Sequence, residues 1–143
     1  MIVDTDVRDR LSAAARDAAE DAYVPYSDFP VGAAVLAAGK IYAAANVENA
    51  SYGLSLCAER AALAKAVSEG AAGKIQAIAV ACVNAGKEAG ESELLPCGAC
   101  RQWMQELAPR LVIYIVAFDE DILEVSLPEL LPRPFKLRAP TQS

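Results

Sequence analysis

The sequence predicts an α/β fold: a three-layer α-β-α sandwich around a mixed sheet of about five strands. Three observations predict it. Apolar runs of strand length alternate with segments of helical periodicity in the order α-β-β-α-β-α-β-β. Two of those runs, 75–83 and 111–118, are apolar nearly throughout instead of alternating, as strands covered on both faces are. The 143 residues are 55% hydrophobic and only 22% charged, which excludes disorder and supplies ample material for one core. No internal repeat and no linker rich in Pro, Gly or Ser interrupts the chain, so a single domain over 1–143 is expected.

Each element has its own local reason. Val7, Leu11, Ala14, Ala18 and Ala22 recur at helical spacing, giving an amphipathic N-terminal helix over about 5–22 that Pro25 stops. The short apolar runs 31–37 and 41–47 flank Gly39-Lys40 and read as a hairpin. Residues 56–69 are rich in Ala and Leu and form a helix with Gly70 as its stop. A buried strand follows over 75–83, then a polar loop over 84–95. Pro96 opens a helix that runs to about Leu107, and Pro109 ends it. The strongly β-branched run 111–118 is a buried strand. A short last strand over 122–126 and a short helix over 127–131 precede a proline-rich tail.

Composition also excludes function classes. Lys and Arg number 13 against 19 Asp and Glu, a net charge of −6. Such a chain has no general field for phosphate backbones, so no nucleic-acid partner is expected, whereas a small neutral ligand is unaffected. No apolar run approaches the ~18 residues of a membrane span, so no membrane partner is expected either. The N-terminus MIVDTDVRDR is charged and lacks an apolar signal core, which argues against export.

The four cysteines carry the chemistry. In a chain with an ample core and no export signal, clustered cysteines read as metal ligands or redox groups. Cys97-Gly98-Ala99-Cys100 is a CxxC at a helix start, and alone it is ambiguous between the two. Residues i and i+3 share one side of a helix, so both thiols can reach one ion. A third cysteine, Cys57, also stands at a helix start, where the dipole and free N–H groups stabilise thiolates. Two such helices aimed at one ion form a three-thiolate site, and three protein ligands leave zinc the open position of a catalytic centre. The chain has no His, so a fourth ligand would have to be Cys82 or a carboxylate. Cys82 lies within the run 75–83 and reads as a buried core thiol. Glu59, two residues after Cys57, is by itself a first-turn Glu favoured by the dipole. Beside a three-cysteine site it becomes a candidate proton shuttle. Three thiolates on Zn²⁺ leave a net −1, and Arg60 is the neighbouring cation suited to balance it.

The segments Tyr26-Ser27-Asp28-Phe29-Pro30-Val31-Gly32-Ala33-Ala34, Asn46-Val47-Glu48-Asn49-Ala50-Ser51-Tyr52-Gly53, Cys57-Ala58-Glu59-Arg60 and Pro96-Cys97-Gly98-Ala99-Cys100-Arg101-Gln102 resemble those of the small zinc cytidine deaminases. So does the ending Glu129-Leu130-Leu131-Pro132-Arg133-Pro134-Phe135. The motifs follow that family's order and spacing, which places a catalytic core at about 22–135. The resemblance implies hydrolytic deamination of cytidine and 2′-deoxycytidine to the uridines with release of ammonia, in cytoplasmic pyrimidine salvage. It implies one zinc per chain on Cys57, Cys97 and Cys100, which activates a water, with Glu59 as a proton carrier that is not a ligand. By the same resemblance Asn46 and Glu48 hydrogen-bond the ribose 3′-hydroxyl, Phe29 lies near the base and Ala58 touches the substrate. Tyr52 and Phe135 match residues that reach a neighbouring subunit's site in a homotetramer with shared active sites.

Three features depart from the family pattern. The hairpin at 38–40 is one residue short, Ala44 stands where Gly is common, and Trp103 replaces a smaller aliphatic. Trp103 is expected on a helix face or at a subunit contact. Three other functions compete. A non-catalytic zinc-stabilised module requires a fourth protein ligand and leaves Glu59 idle. A nucleoside-antibiotic deaminase shares the metal site. A polynucleotide editor is opposed by the charge, since Arg133, Lys136 and Arg138 are too few to reverse it.

Overall fold

The computed structural model describes residues 3–86, 88–119 and 121–138, and the end of the expected tail lies outside them. Asp4 starts the first helix, its carboxylate accepting the Val7 N–H at 2.8 Å. Helix α1 (Thr5–Ala18) buries Leu11 and Ala15 completely. The expected helix to residue 22 is α-helical only to Ala18; one 3₁₀ turn over Ala19–Asp21 follows and the backbone is extended at Ala22.

Strands β1 (Val31–Ala37) and β2 (Lys40–Ala45) form the expected hairpin. Their register pairs Ala37 with Lys40, so the loop is only Ala38-Gly39. Both loop residues have positive φ, 52° and 77°, as the tight type I′ turn demands. The short hairpin is therefore closed by holding an alanine in left-handed backbone, at a steric cost. Across β1, a Cβ on Gly32 would overlap the Ala15 carbonyl oxygen and stand 2.7 Å from the Ala19 nitrogen. Glycine there is what lets α1 lie directly on the strand.

The sheet order is β2-β1-β3-β4-β5, with β3 (Ile75–Cys82), β4 (Val112–Val116) and β5 (Ile122–Ser126) completing it. β3 and β4 run parallel and every other pair antiparallel, so the sheet is mixed and five-stranded, as the sequence predicts. The β3–β4 crossover carries helix α4 (Gly98–Leu107). Alternate residues of the strands enter two separate cores. Leu36, Ala77, Ala79 and Tyr114 pack toward α1, whereas Val35, Ile78, Val80 and Ile113 join Leu63 of helix α2 (Ala58–Ser68) and Met104 of α4. Helices thus cover both sheet faces, which is why the strands read as unbroken apolar runs.

Other boundaries also differ from expectation. Within the expected polar loop, residues Glu91–Leu94 form a one-turn helix, α3, whose Glu93 Oε2 accepts the Gly90 N–H at 2.6 Å. Strand β2 ends at Ala45, not at 47, because Val47 leaves the hairpin to bridge Tyr23 and Leu56. The last helix, α5 (Leu127–Leu130), is capped by Ser126 and Glu129 and carries Pro128 in its first turn.

Candidate metal and active site

The two helices on the second face begin at cysteines. Cys57 is the N-cap of α2 and Cys97 the N-cap of α4, while Cys100 sits in the first turn of α4. Neither N-cap thiol accepts a capping hydrogen bond from its own helix, so both remain available to a ligand. The Cys57 and Cys97 sulfurs are 3.8 Å apart, those of Cys97 and Cys100 are 3.4 Å apart, and all three lie within 4.8 Å of one another. Thiolates at ~2.3 Å from one tetrahedral zinc stand ~3.8 Å apart, so the spacing and the donor type fit that ion. Among the described residues this group is Cys57, Cys97 and Cys100, and Cys82 is not part of it.

Electrostatics favours a thiolate at Cys57. The positive ends of two helix dipoles converge on the sulfurs. The Cys57 thiol is held well below the usual range by its hydrogen bond with Cys100, and further by the Arg60 guanidinium and Cys97. Cys100 is pushed up in turn by sharing that hydrogen bond with Cys57. The Arg60 Nη2 lies 3.3 Å from the Cys57 Sγ and 3.5 Å from the Ser55 carbonyl oxygen. Arg60 therefore sets its guanidinium against the Cys57 sulfur.

Glu59 is only 6% exposed. Burial raises its carboxyl to about 7, close to the neutral range in which a group can both take and give a proton. It opens onto a cleft of about 220 Å³ that Cys57, Cys97, Ala58, Phe29, Asn46 and Glu48 also line. Cys100 is fully buried behind this wall. The cleft thus gathers most of the residues singled out from the sequence. Tyr52 and Phe135 lie outside it, 81% and 70% exposed on this chain.

Asn46 and Glu48 follow β2 and are already engaged with the protein. The Asn46 Oδ1 accepts the Val31 N–H at 2.9 Å and its Nδ2 donates to the Phe29 carbonyl at 3.0 Å. The Glu48 Oε1 accepts the N–H groups of Tyr26 and Ser27, each at 3.1 Å. Hydrogen bonding at Ser27 holds the Glu48 carboxyl below the usual carboxylate range.

Sequence reasoning left the apolar wall of the cleft unassigned: Val31, Val80, Leu94, Leu95 and Cys82. Val80 and Cys82 share the strand face that meets α2, which the period of two in β3 could have shown. Cys82 is a buried thiol, as expected, yet it also borders the cleft. Burial pushes it up to about 12, with the Glu59 charge adding to the effect. Trp103 is 40% exposed and lies in an apolar groove between α2 and α4. Beside it, the Gln102 Nε2 donates to the Phe135 carbonyl at 2.9 Å and so ties the tail to α4.

Comparison with known proteins gives a consistent result. The family described as the cytidine and deoxycytidylate deaminase zinc-binding region matches residues 5–116. A cytidine deaminase of Halalkalibacterium halodurans is 48% identical over 130 residues, covering 90% of this chain and 93% of the relative. The crystal structure of cytidine deaminase from Burkholderia pseudomallei superposes with a TM-score of 0.79 at 45% identity, over 89% of this chain and 98% of the other. That of Mycobacterium tuberculosis gives 0.73 at 38% identity, over 94% and 100%.

Proposed function

From the premise that the chain belongs to the zinc-binding cytidine and deoxycytidylate deaminase family and is a cytidine deaminase, we propose the finer reading that it hydrolyses both cytidine and 2′-deoxycytidine to the uridines, with release of ammonia. The observation that carries the reading is a group of three cysteine sulfurs, two of which, Cys57 and Cys97, line the same cleft as the buried Glu59 carboxylate. A structural zinc site would be closed by a fourth protein ligand, and among the described residues the group has three members.

Cys57, Cys97 and Cys100 hold the metal, and Arg60 offsets the thiolate charge from the α2 side. When bound there, zinc supplies Lewis-acid activation of water. Glu59 takes a proton from a water in the cleft and delivers it to N3 of the base, as the water oxygen adds at C4. It then moves the proton of the new C4 hydroxyl to the amine; the C4–N bond breaks as the C4 carbonyl forms, and the amine leaves as ammonia. One carboxyl serves both transfers because it lies in the cleft wall beside Cys57 and Cys97. Burial keeps competing water from its oxygens.

Phe29 and Ala58, which line the cleft, are assigned to the base, and Asn46 and Glu48, which also line it, to the sugar. The 3′-hydroxyl is common to ribose and deoxyribose, which suits both substrates. The exposed Tyr52 and Phe135 serve a neighbouring subunit's cleft in a homotetramer, and the whole chain acts as one catalytic domain. Pyrimidine salvage in the cytoplasm is the role this activity fits. No helix among the described residues is long and apolar enough to cross a membrane.

The test is metal content and ammonia release for zinc-loaded protein and the four single Cys→Ala variants. The expected result is about one zinc per chain, lost with Cys57, Cys97 or Cys100 and kept, with cytidine turnover, in Cys82→Ala. Loss of zinc in Cys82→Ala would sink the three-ligand assignment.

A further inference from the structure

We propose that Glu48 is a positioning residue for the base wall of the cleft, acting through Phe29, as well as a polar group facing the sugar. The inference rests on the deaminase reading for its catalytic consequence and on hydrogen-bond geometry for its structural content.

The segment 24–30 leaves the 3₁₀ turn after α1, runs along the cleft and delivers Phe29 to its wall. It has little regular structure of its own: Asp28 is in left-handed backbone at φ 54°, and Tyr26, Ser27 and Asp28 are exposed. A short exposed stretch of this kind holds a defined course only where its backbone groups find partners. The segment closes one turn on itself, the Asp28 N–H donating to the Val24 carbonyl, and the side-chain acceptors for Tyr26 and Ser27 and the donor for the Phe29 carbonyl come from one place, the residues just beyond β2. One oxygen of Glu48 accepts two consecutive N–H groups, those of Tyr26 and Ser27. The Asn46 side chain spans Phe29, donating to its carbonyl and accepting from the Val31 N–H. The backbone continues the attachment, with the Tyr23 N–H donating to the Asn46 carbonyl and the Glu48 N–H to the Tyr23 carbonyl. On the far side the Ser27 Oγ accepts the Phe29 N–H, and the Asn84 Nδ2 donates to the Asp28 carbonyl.

Phe29 is therefore held by the same two side chains that face the sugar. Both N–H groups reach Oε1, so a ligand hydroxyl at Oε2 need not release Tyr26 and Ser27. Sugar binding and base-wall placement are then one coupled event. A nucleoside that engages Glu48 fixes the carboxylate, and the fixed carboxylate fixes the course of 26–29. A ligand with a base but no sugar has to use a wall that is less firmly held.

Three variants test this in the zinc-loaded protein: Glu48→Ala, Glu48→Gln and Phe29→Ala, with the Glu48→Ala/Phe29→Ala double variant. In ligand-free protein, amide exchange at Tyr26 and Ser27 should quicken roughly tenfold or more in Glu48→Ala, since both N–H groups lose a charged acceptor. Glu48→Gln keeps an accepting oxygen and should stay within a few-fold of wild type. For cytidine, Glu48→Ala should raise KM more than it lowers kcat. Adding Phe29→Ala to Glu48→Ala should cost clearly less than Phe29→Ala costs alone, because the wall is already displaced. Unchanged Tyr26 and Ser27 exchange in Glu48→Ala, or KM losses that simply multiply in the double variant, would overturn the positioning role. A wild-type protein that does not deaminate cytidine contradicts the deaminase reading instead, and the exchange result still decides whether Glu48 holds the segment.

Discussion

Replacing Asn46 by Ala removes a bridge as well as a candidate ligand contact, and its size follows from the geometry. Two hydrogen bonds are lost, one from the Val31 N–H at 2.9 Å and one to the Phe29 carbonyl at 3.0 Å. Each neutral bond contributes about 1 kcal/mol net. Both partners are half-buried, so water can reach the orphaned groups only in part and their desolvation adds about 1 kcal/mol at most. The expected loss is about 2–3 kcal/mol. At an unfolding entropy of ~2.1 cal/mol/K per residue, a chain of this length shifts by about 3 °C per kcal/mol. The melting midpoint of Asn46→Ala should thus fall by roughly 6–9 °C. Asn46→Asp keeps the accepting oxygen but sets a carboxylate against the Phe29 carbonyl, and it should lose at least half as much. Thermal unfolding by circular dichroism, at matched zinc content, reads the shift. A midpoint within about 1 °C of wild type, with only the cytidine KM raised, would show that Asn46 is a ligand contact without a structural share and that the bridge energetics are wrong.

Two further substitutions should stabilise the protein, and one truncation should separate subunit roles. Ser12 is 5% exposed and its hydroxyl has no hydrogen-bond partner among the described residues; Ser12→Ala should gain about 1 kcal/mol in urea unfolding with an unchanged slope, and a loss would mean the hydroxyl is satisfied in solution. Ala38 holds φ 52° in the hairpin turn, so Ala38→Asn should raise stability by about 0.5–1 kcal/mol, and destabilisation would contradict the type I′ assignment. Removing the residues after Pro134 should raise the KM for cytidine with zinc retained. Mixing that protein with full-length Glu59→Gln should restore activity per intact Glu59 if Phe135 acts on a neighbour, and no rise in confirmed mixed tetramers would place the arm on its own subunit.

Much of this was legible in the residues because burial on both faces leaves a plain mark. The runs 77–83 and 111–118 are apolar on consecutive positions, and the sheet indeed buries Ile78 and Ala79 on opposite sides. The grouping of Cys57 with Cys97 and Cys100 was legible because helix-start positions and an i, i+3 spacing are local properties. What was not legible is long-range. The end of β2 at Ala45 is set by Val47 pairing with Tyr23 and Leu56, which no periodicity in 41–47 reveals. The one-turn helix α3 lies in a stretch that composition alone makes a polar loop. The engagement of Asn46 and Glu48 with 26–31 joins residues about twenty positions apart. The part of Cys82 in the cleft wall likewise depends on where α2 lands on β3.

The most direct test of the central claim is the turnover of Glu59→Gln in zinc-loaded form. The substitution is nearly isosteric at a site only 6% exposed, so fold and the three-cysteine group should be kept. A positioned acid/base gives ~10²–10⁴-fold, and Glu59 is assigned more than one transfer, so ammonia release from cytidine should fall by at least that range. Zinc should remain at about one per chain. Zinc-replete Glu59→Gln protein that deaminates cytidine within a few-fold of wild type would contradict the claim and return Glu59 to a buried first-turn residue of α2.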